Sequence, residues 1–127
     1  MIRLDDLHKA FGPREVLRGV ALEVPEGSST VLLGRSGSGK SVLLKHIVGL
    51  MRPDQGAVWV DNREVAALDH DELNLLRREI GYVFQFAALF DSLTCAGHLR
   101  LALQRQRLDP DEAERRIGEA LARGGLA

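Results

Sequence analysis

Apolar and polar side chains alternate through Val20, Leu22 and Val24, which marks residues 16–24 as a strand closed by the turn Pro25-Glu26-Gly27. Residues 2–7 ahead of it also read as a strand, and the apolar run Thr30-Val31-Leu32-Leu33 reads as another. From Ser41 the period changes. Leu43, Ile47 and Leu50 fall at helical spacing, so residues 41–50 predict a buried helix. Arg52-Pro53-Asp54-Gln55-Gly56 is a turn, and Ala57-Val58-Trp59-Val60 is a short strand ended by Asp61-Asn62, with Trp59 a packing residue among β-branched neighbours. Asp69 followed by Glu72 resembles a capping box, opening an amphipathic helix through Leu73 and Leu76 to Arg78. Ile80-Gly81-Tyr82-Val83-Phe84 returns to strand. Beyond Gln85, residues 93–107 are helix-forming, and Asp109-Pro110-Asp111-Glu112 opens a last helix with proline at its first position. Strands and helices alternating before an all-helical end predict an α/β fold.

Composition narrows the class without choosing a function. The 127 residues are 45% hydrophobic and 28% charged with a formal net charge of −1, values of an ordinary globular domain. No clustered basic excess marks a nucleic-acid binder. The apolar stretches are too short to span a bilayer, so a membrane role is expected to come through a partner. The start, Met1-Ile2-Arg3-Leu4-Asp5-Asp6, lacks the layout of a secretory signal, and the expected location is cytoplasmic. Cys95, the one cysteine, allows no intrachain disulfide and is expected to be a small, half-buried side chain. Arg100 to Arg107 read as charges on a solvated helix face.

The chemistry lies between the third apolar run and the first helix. Gly34-Arg35-Ser36-Gly37-Ser38-Gly39-Lys40-Ser41 fits the phosphate-loop pattern G-x-x-x-x-G-K-[ST] at every position, with a strand-like run before it and a helix after it. Glycines let backbone N–H groups approach phosphate oxygens, and the following helix turns its positive end to the same anion. Lys40 is expected to reach the β and γ phosphates and the Ser41 hydroxyl to ligate Mg²⁺, making ATP and Mg²⁺ the expected ligands.

Val16-Leu17-Arg18-Gly19-Val20-Ala21-Leu22-Glu23-Val24-Pro25-Glu26-Gly27, the phosphate loop, Gly49-Leu50-Met51-Arg52-Pro53-Asp54-Gln55-Gly56 and Ile80-Gly81-Tyr82-Val83-Phe84-Gln85, in that order, resemble the ATP-binding-cassette (ABC) ATPases across essentially the whole chain. Within them, Gly34-Arg35-Ser36-Gly37, Val42-Leu43-Leu44-Lys45-His46 and Ala87-Ala88-Leu89-Phe90-Asp91-Ser92-Leu93-Thr94 look most like the Mla-type phospholipid transport ATPases. The resemblance implies a P-loop core with an N-terminal antiparallel β subdomain over residues 1–85 and the start of a helical subdomain over residues 86–127. It implies that Phe11 stacks on adenine. It also implies that Gln85 is the Q-loop glutamine, approaching Mg²⁺ or the attacking water, and that residues 86–94 receive a coupling helix of a membrane permease. Catalytic roles thereby fall to Lys40 and Gln85, metal ligation to Ser41 and Gln85, and nucleotide binding to Phe11 and to Gly34, Arg35, Ser36, Gly37, Ser38, Gly39, Lys40 and Ser41.

The implied function is an ATP-binding subunit that dimerises and hydrolyses ATP to drive transport, of phospholipid by the Mla likeness, on the cytoplasmic face of the inner membrane. The implied partners are a permease, a second ATPase subunit and a lipid-binding accessory protein, with no nucleic acid. The alternatives are a soluble cassette ATPase acting on nucleic acid or ribosomes, and a non-hydrolytic nucleotide-binding protein. The family's signature motif, its strand ending in Asp-Glu and its switch histidine do not occur, and His8, His46, His70 and His98 match no switch position. The expectation is therefore a truncated cassette, poorly stable or inactive alone, with apolar strand edges left open. Cys95, Gly97 and His98 stand where the family commonly has Val-x-Glu-Asn. Asn62 replaces a turn glycine and tolerates the positive φ required there.

Overall fold

The computed structural model describes residues 1–86 and 89–126, with only the backbone described at Arg105. It divides into two compact units, Met1–Tyr82 and Val83–Ala127. In the first, β1 (Ile2–Phe11), β2 (Arg14–Val24), β3 (Gln55–Val60) and the two-residue β4 (Arg63–Glu64) form a sheet in the order β2-β1-β3-β4. All three strand pairs are antiparallel. Helices α1 (Lys40–Ile47) and α2 (His70–Glu79) complete the unit, with a short 3₁₀ turn at Val65–Ala67.

The core joins Leu4, Leu7 and Leu17 of the first hairpin to Val58 and Val60 of β3, Leu43 and Ile47 of α1 and Leu76 of α2. The helical period therefore delivers Leu43 and Ile47 inward as expected, while Leu50 lies past the end of α1 and is exposed. His46 is also buried, at 1% exposure, and its Nδ1 lies 2.7 Å from the Val42 carbonyl oxygen. Trp59 is half-buried in β3 with the Arg3 guanidinium 5.3 Å from its ring centre.

The central strand β1 is irregular. Its register slips between Leu4 and Leu7 against β2 and between Asp5 and His8 against β3, and Asp6 has a φ of 46°. Gly56 on β3 makes that bulge possible: it has a φ of 83°, and a Cβ there would lie 2.2 Å from the Asp6 carbonyl oxygen. The slip determines which side chains the far end of β1 presents at Lys9, Ala10 and Phe11.

Local signals place the helix ends. The Asp69 carboxylate accepts from the Asp71 and Glu72 amides, and the Glu72 carboxylate accepts from the Asp69 amide at 3.0 Å, a complete capping box. Helix α1 ends in a Schellman turn in which Gly49 N–H donates to His46 and Leu50 N–H to Lys45. The Asp61-Asn62 turn joins β3 to β4 with both residues at positive φ, 46° and 62°, as a two-residue hairpin loop requires.

Two expected strands are absent. Among the described residues, 30–33 and 80–84 are not strands, and the sheet consists of β1 to β4. Burial still alternates in the first: Leu32 packs against the core, while Val31 and Leu33 are 78% and 91% exposed. In the second, Ile80 packs inward and Val83 is 94% exposed. Apolar alternation expresses a face to bury, but a strand also needs a neighbour for its N–H and C=O groups.

The second unit is an α-helical hairpin of α3 (Cys95–Leu103) and α4 (Pro110–Arg123), joined through a 3₁₀ turn at Gln104–Gln106. Thr94 caps α3 by accepting from the Gly97 amide at 3.1 Å, and Asp109 caps α4 by accepting from Asp111 with Pro110 in the first turn. Arg100 of α3 reaches Glu114 of α4 at 2.7 Å, and Ile117 of α4 is buried. Cys95 is exposed rather than half-buried, at the first position of α3, a helix with no buried residue.

Candidate functional site

The phosphate-loop sequence forms an open loop over residues 34–39 that feeds directly into α1. Gly39 is buried with a φ of 97°. A Cβ there would sit 3.0 Å from Val16 Cγ1 and 3.2 Å from the Val16 carbonyl oxygen, so only glycine lets the loop settle on β2 as it enters the helix. Gly39 offers no side-chain cap and the first turn of α1 holds no acidic residue. The leading N–H groups of α1 are thus left for an external acceptor, at the end of the helix where the dipole favours an anion.

Lys40 folds back over this loop. Its ammonium donates to the Gly34 carbonyl at 2.7 Å, the Arg35 carbonyl at 2.9 Å and the Ser38 hydroxyl at 3.3 Å. Every one of these acceptors is neutral, so phosphate oxygens can replace them with a gain in charge pairing. Ser41 follows on α1 and is exposed, leaving its hydroxyl accessible. Arg35, Ser36, Gly37 and Ser38 are likewise exposed around the loop.

Phe11 ends β1 at 46% exposure, an aromatic face open to a planar group, with the Lys9 ammonium 5.8 Å from its ring centre. Two residues that the sequence reading passed over frame it. Arg14 is the cross-strand partner of Phe11, and its Nη2 donates to the Gly37 carbonyl at 3.3 Å. Asp54 holds the strand behind Phe11: its carboxylate accepts from Lys9 Nζ and from the Ala10 amide, both at 2.7 Å, and its own amide donates to the His8 carbonyl at 3.0 Å. The Lys9 hydrogen bond and then the Ala10 amide keep the Asp54 carboxyl below its ordinary range. The Phe11-Gly12-Pro13-Arg14 tight turn was the available signal for Arg14. The Asp54 contact joins residues 45 positions apart and left no such mark.

Phe11, Arg14 and the whole of residues 34–41 therefore belong to one unit. Gln85 does not: it lies in the second unit and is exposed there. Phe86, Leu89 and Phe90 of that unit are exposed apolar side chains, while Ala87 and Ala88 lie outside the described residues. Phe90 is fixed by His98, whose Nε2 accepts from the Phe90 amide at 2.8 Å and whose ring stacks on Phe90 with centres 6.1 Å apart. Among the described residues no three His, Cys, Asp or Glu side chains come together as a metal cage. No helix among them is long and apolar enough to cross a membrane.

Comparison with known proteins matches residues 17–127 to the family described as ABC transporter. The chain is 44% identical to the methionine import ATP-binding protein MetN of Thermobifida fusca, over 100% of this chain and 41% of that protein. It is 39% identical to a probable sulfate/thiosulfate import ATP-binding protein CysA of Chlorella vulgaris, over 94% of this chain and 49% of that protein. It is also similar to the dimeric structure of MJ0796, a bacterial ABC transporter cassette, at a TM-score of 0.85 and 35% identity over 96% of this chain and 56% of that one. The chain thus spans about half the length of the proteins it resembles.

Proposed function

The chain belongs to the ABC transporter family of ATP-binding proteins, and on that premise we propose that it is the nucleotide-binding portion of a transport ATPase subunit. The observation that carries this reading is the phosphate loop itself: a helix start with no side-chain cap, a glycine seated on β2, and a lysine whose partners among the described residues are neutral oxygens. In this reading Phe11 stacks on the base, the loop amides and Lys40 hold the β and γ phosphates, and Ser41 offers its hydroxyl to Mg²⁺. Mg²⁺ is a hard cation bound through substrate phosphates and one or two protein oxygens, which suits the Ser41 hydroxyl beside the loop, and Gln85 is proposed from its place in the family motif alone. Hydrolysis of this kind works by positioning and charge neutralisation.

The partners in this reading are a membrane permease and a second ATPase subunit, placing the protein on the inner face of the membrane. The exposed Phe86, Leu89 and Phe90 are the surface offered to the permease. The relatives are named for methionine and for sulfate/thiosulfate import, so the cargo they favour is a small solute. The phospholipid cargo and the lipid-binding accessory protein rest on short strings alone and find no support among these relatives. Titration calorimetry with ATP and Mg²⁺ tests the nucleotide reading: saturable binding in the chain, lost in Lys40→Ala, is expected, and equal affinity in both proteins would refute it. Uptake assays in cells lacking the gene that encodes this chain separate the cargoes, with loss of methionine or sulfate uptake supporting a small solute.

A further inference from the structure

We propose that Arg14 is a nucleotide-binding residue that contacts the polyphosphate between the base and the loop, a role that rests on the ATP-binding reading above. A nucleotide stacked on Phe11 with its terminal phosphates in residues 34–41 must bring its inner phosphates past whatever lies between. Arg14 lies between them by two independent contacts: it is paired with Phe11 across the β1–β2 hairpin, and it donates to the Gly37 carbonyl. Its guanidinium is exposed. The Gly37 bond occupies one of five N–H donors, and none of the ion pairs among the described residues involves Arg14. The neighbouring carboxylate, Glu15, is turned to Arg18 at 3.5 Å. A planar cation with donors to spare suits phosphate oxygens better than a lysine, because its fork engages two of them at once.

The site then divides into a base contact at Phe11, an inner-phosphate contact at Arg14 and an outer-phosphate contact at Lys40. Arg14 should distinguish phosphorylated ligands from nucleosides, while Phe11 distinguishes nucleotides from bare polyphosphate.

The test measures affinities for ATP, adenosine and inorganic tripolyphosphate, each with Mg²⁺, in the chain and in Arg14→Gln, Arg14→Lys and Phe11→Ala. Glutamine keeps a donor for the Gly37 carbonyl but drops the charge, and lysine keeps the charge. Arg14→Gln is expected to weaken ATP and tripolyphosphate about tenfold and flatten their salt dependence, with adenosine unchanged and partial recovery in Arg14→Lys. Phe11→Ala should weaken ATP and adenosine and leave tripolyphosphate alone. Full retention of tripolyphosphate affinity in Arg14→Gln would overturn the proposal, showing that Arg14 only holds the loop. If Arg14→Gln does not fold, the decision passes to Arg14→Lys and the salt dependence. A fall in tripolyphosphate affinity of up to about tenfold in Arg14→Lys, with adenosine unchanged and the salt slope kept, supports a charge contact that has lost the guanidinium fork, and a loss shared equally by adenosine overturns it. Failure of the parent chain to bind ATP would sink the ATP-binding reading instead, an outcome separate from these.

Discussion

Arg77 of α2 reaches across to the end of α1, its Nε donating to the Val48 carbonyl and its Nη2 to the Gly49 carbonyl, each at 3.0 Å. A cation placed there satisfies carbonyls that the helix leaves open and complements the negative end of its dipole. The helix that begins at the phosphate loop is thus secured from outside at its far end.

Replacing Arg77 with Met keeps much of the stem and removes both bonds. Val48 is buried, so its carbonyl loses a partner that water cannot fully replace. We expect a loss of about 2–3 kcal/mol in urea unfolding. A change below 0.5 kcal/mol would mean that the pair contributes nothing net.

Gly56→Ala forces a Cβ toward the Asp6 carbonyl at a φ that L-residues avoid. The expected destabilisation is roughly 2–4 kcal/mol, because backbone rather than a flexible side chain stands in the way. Thermal unfolding measures it, and an unchanged midpoint would show that the β1 bulge can shift.

The Asp54 carboxyl is held low by Lys9 and the Ala10 amide. A depressed native pKa contributes stability that is present above the ordinary carboxylate range of about 4 and is lost as pH falls through the native value. Carboxyl NMR titration should find Asp54 below its ordinary value, and Lys9→Met should move it back up. No movement would remove Lys9 as the main cause.

Lys40→Ala should leave stability within about 0.5 kcal/mol, since its bonds are to exposed, neutral loop atoms. ATP affinity should fall by roughly 10–100-fold, the range of a charged hydrogen bond. Calorimetry and a denaturant melt on the same sample separate the two effects.

Signals contained within a few residues were the most readable. The Asp69 and Glu72 capping box, the Asp109 cap and the Asn62 turn form as their sequence spacing predicts, because each bond joins near neighbours. Residues 30–33 and 80–84 show the opposite case, since apolar alternation cannot state whether a ladder partner exists. Much the same holds at the candidate site. The loop and Phe11 are marked by motif and resemblance, whereas Arg77 on Gly49 and Asp54 on Lys9 are long-range polar contacts that no periodicity announces.

Helix α1 is clamped at both ends, by Gly39 seated on Val16 and Leu17 and by Arg77 on Val48 and Gly49. The direction in which the first turn of α1 faces residues 34–38 is therefore set by β2 and α2, elements outside the loop itself.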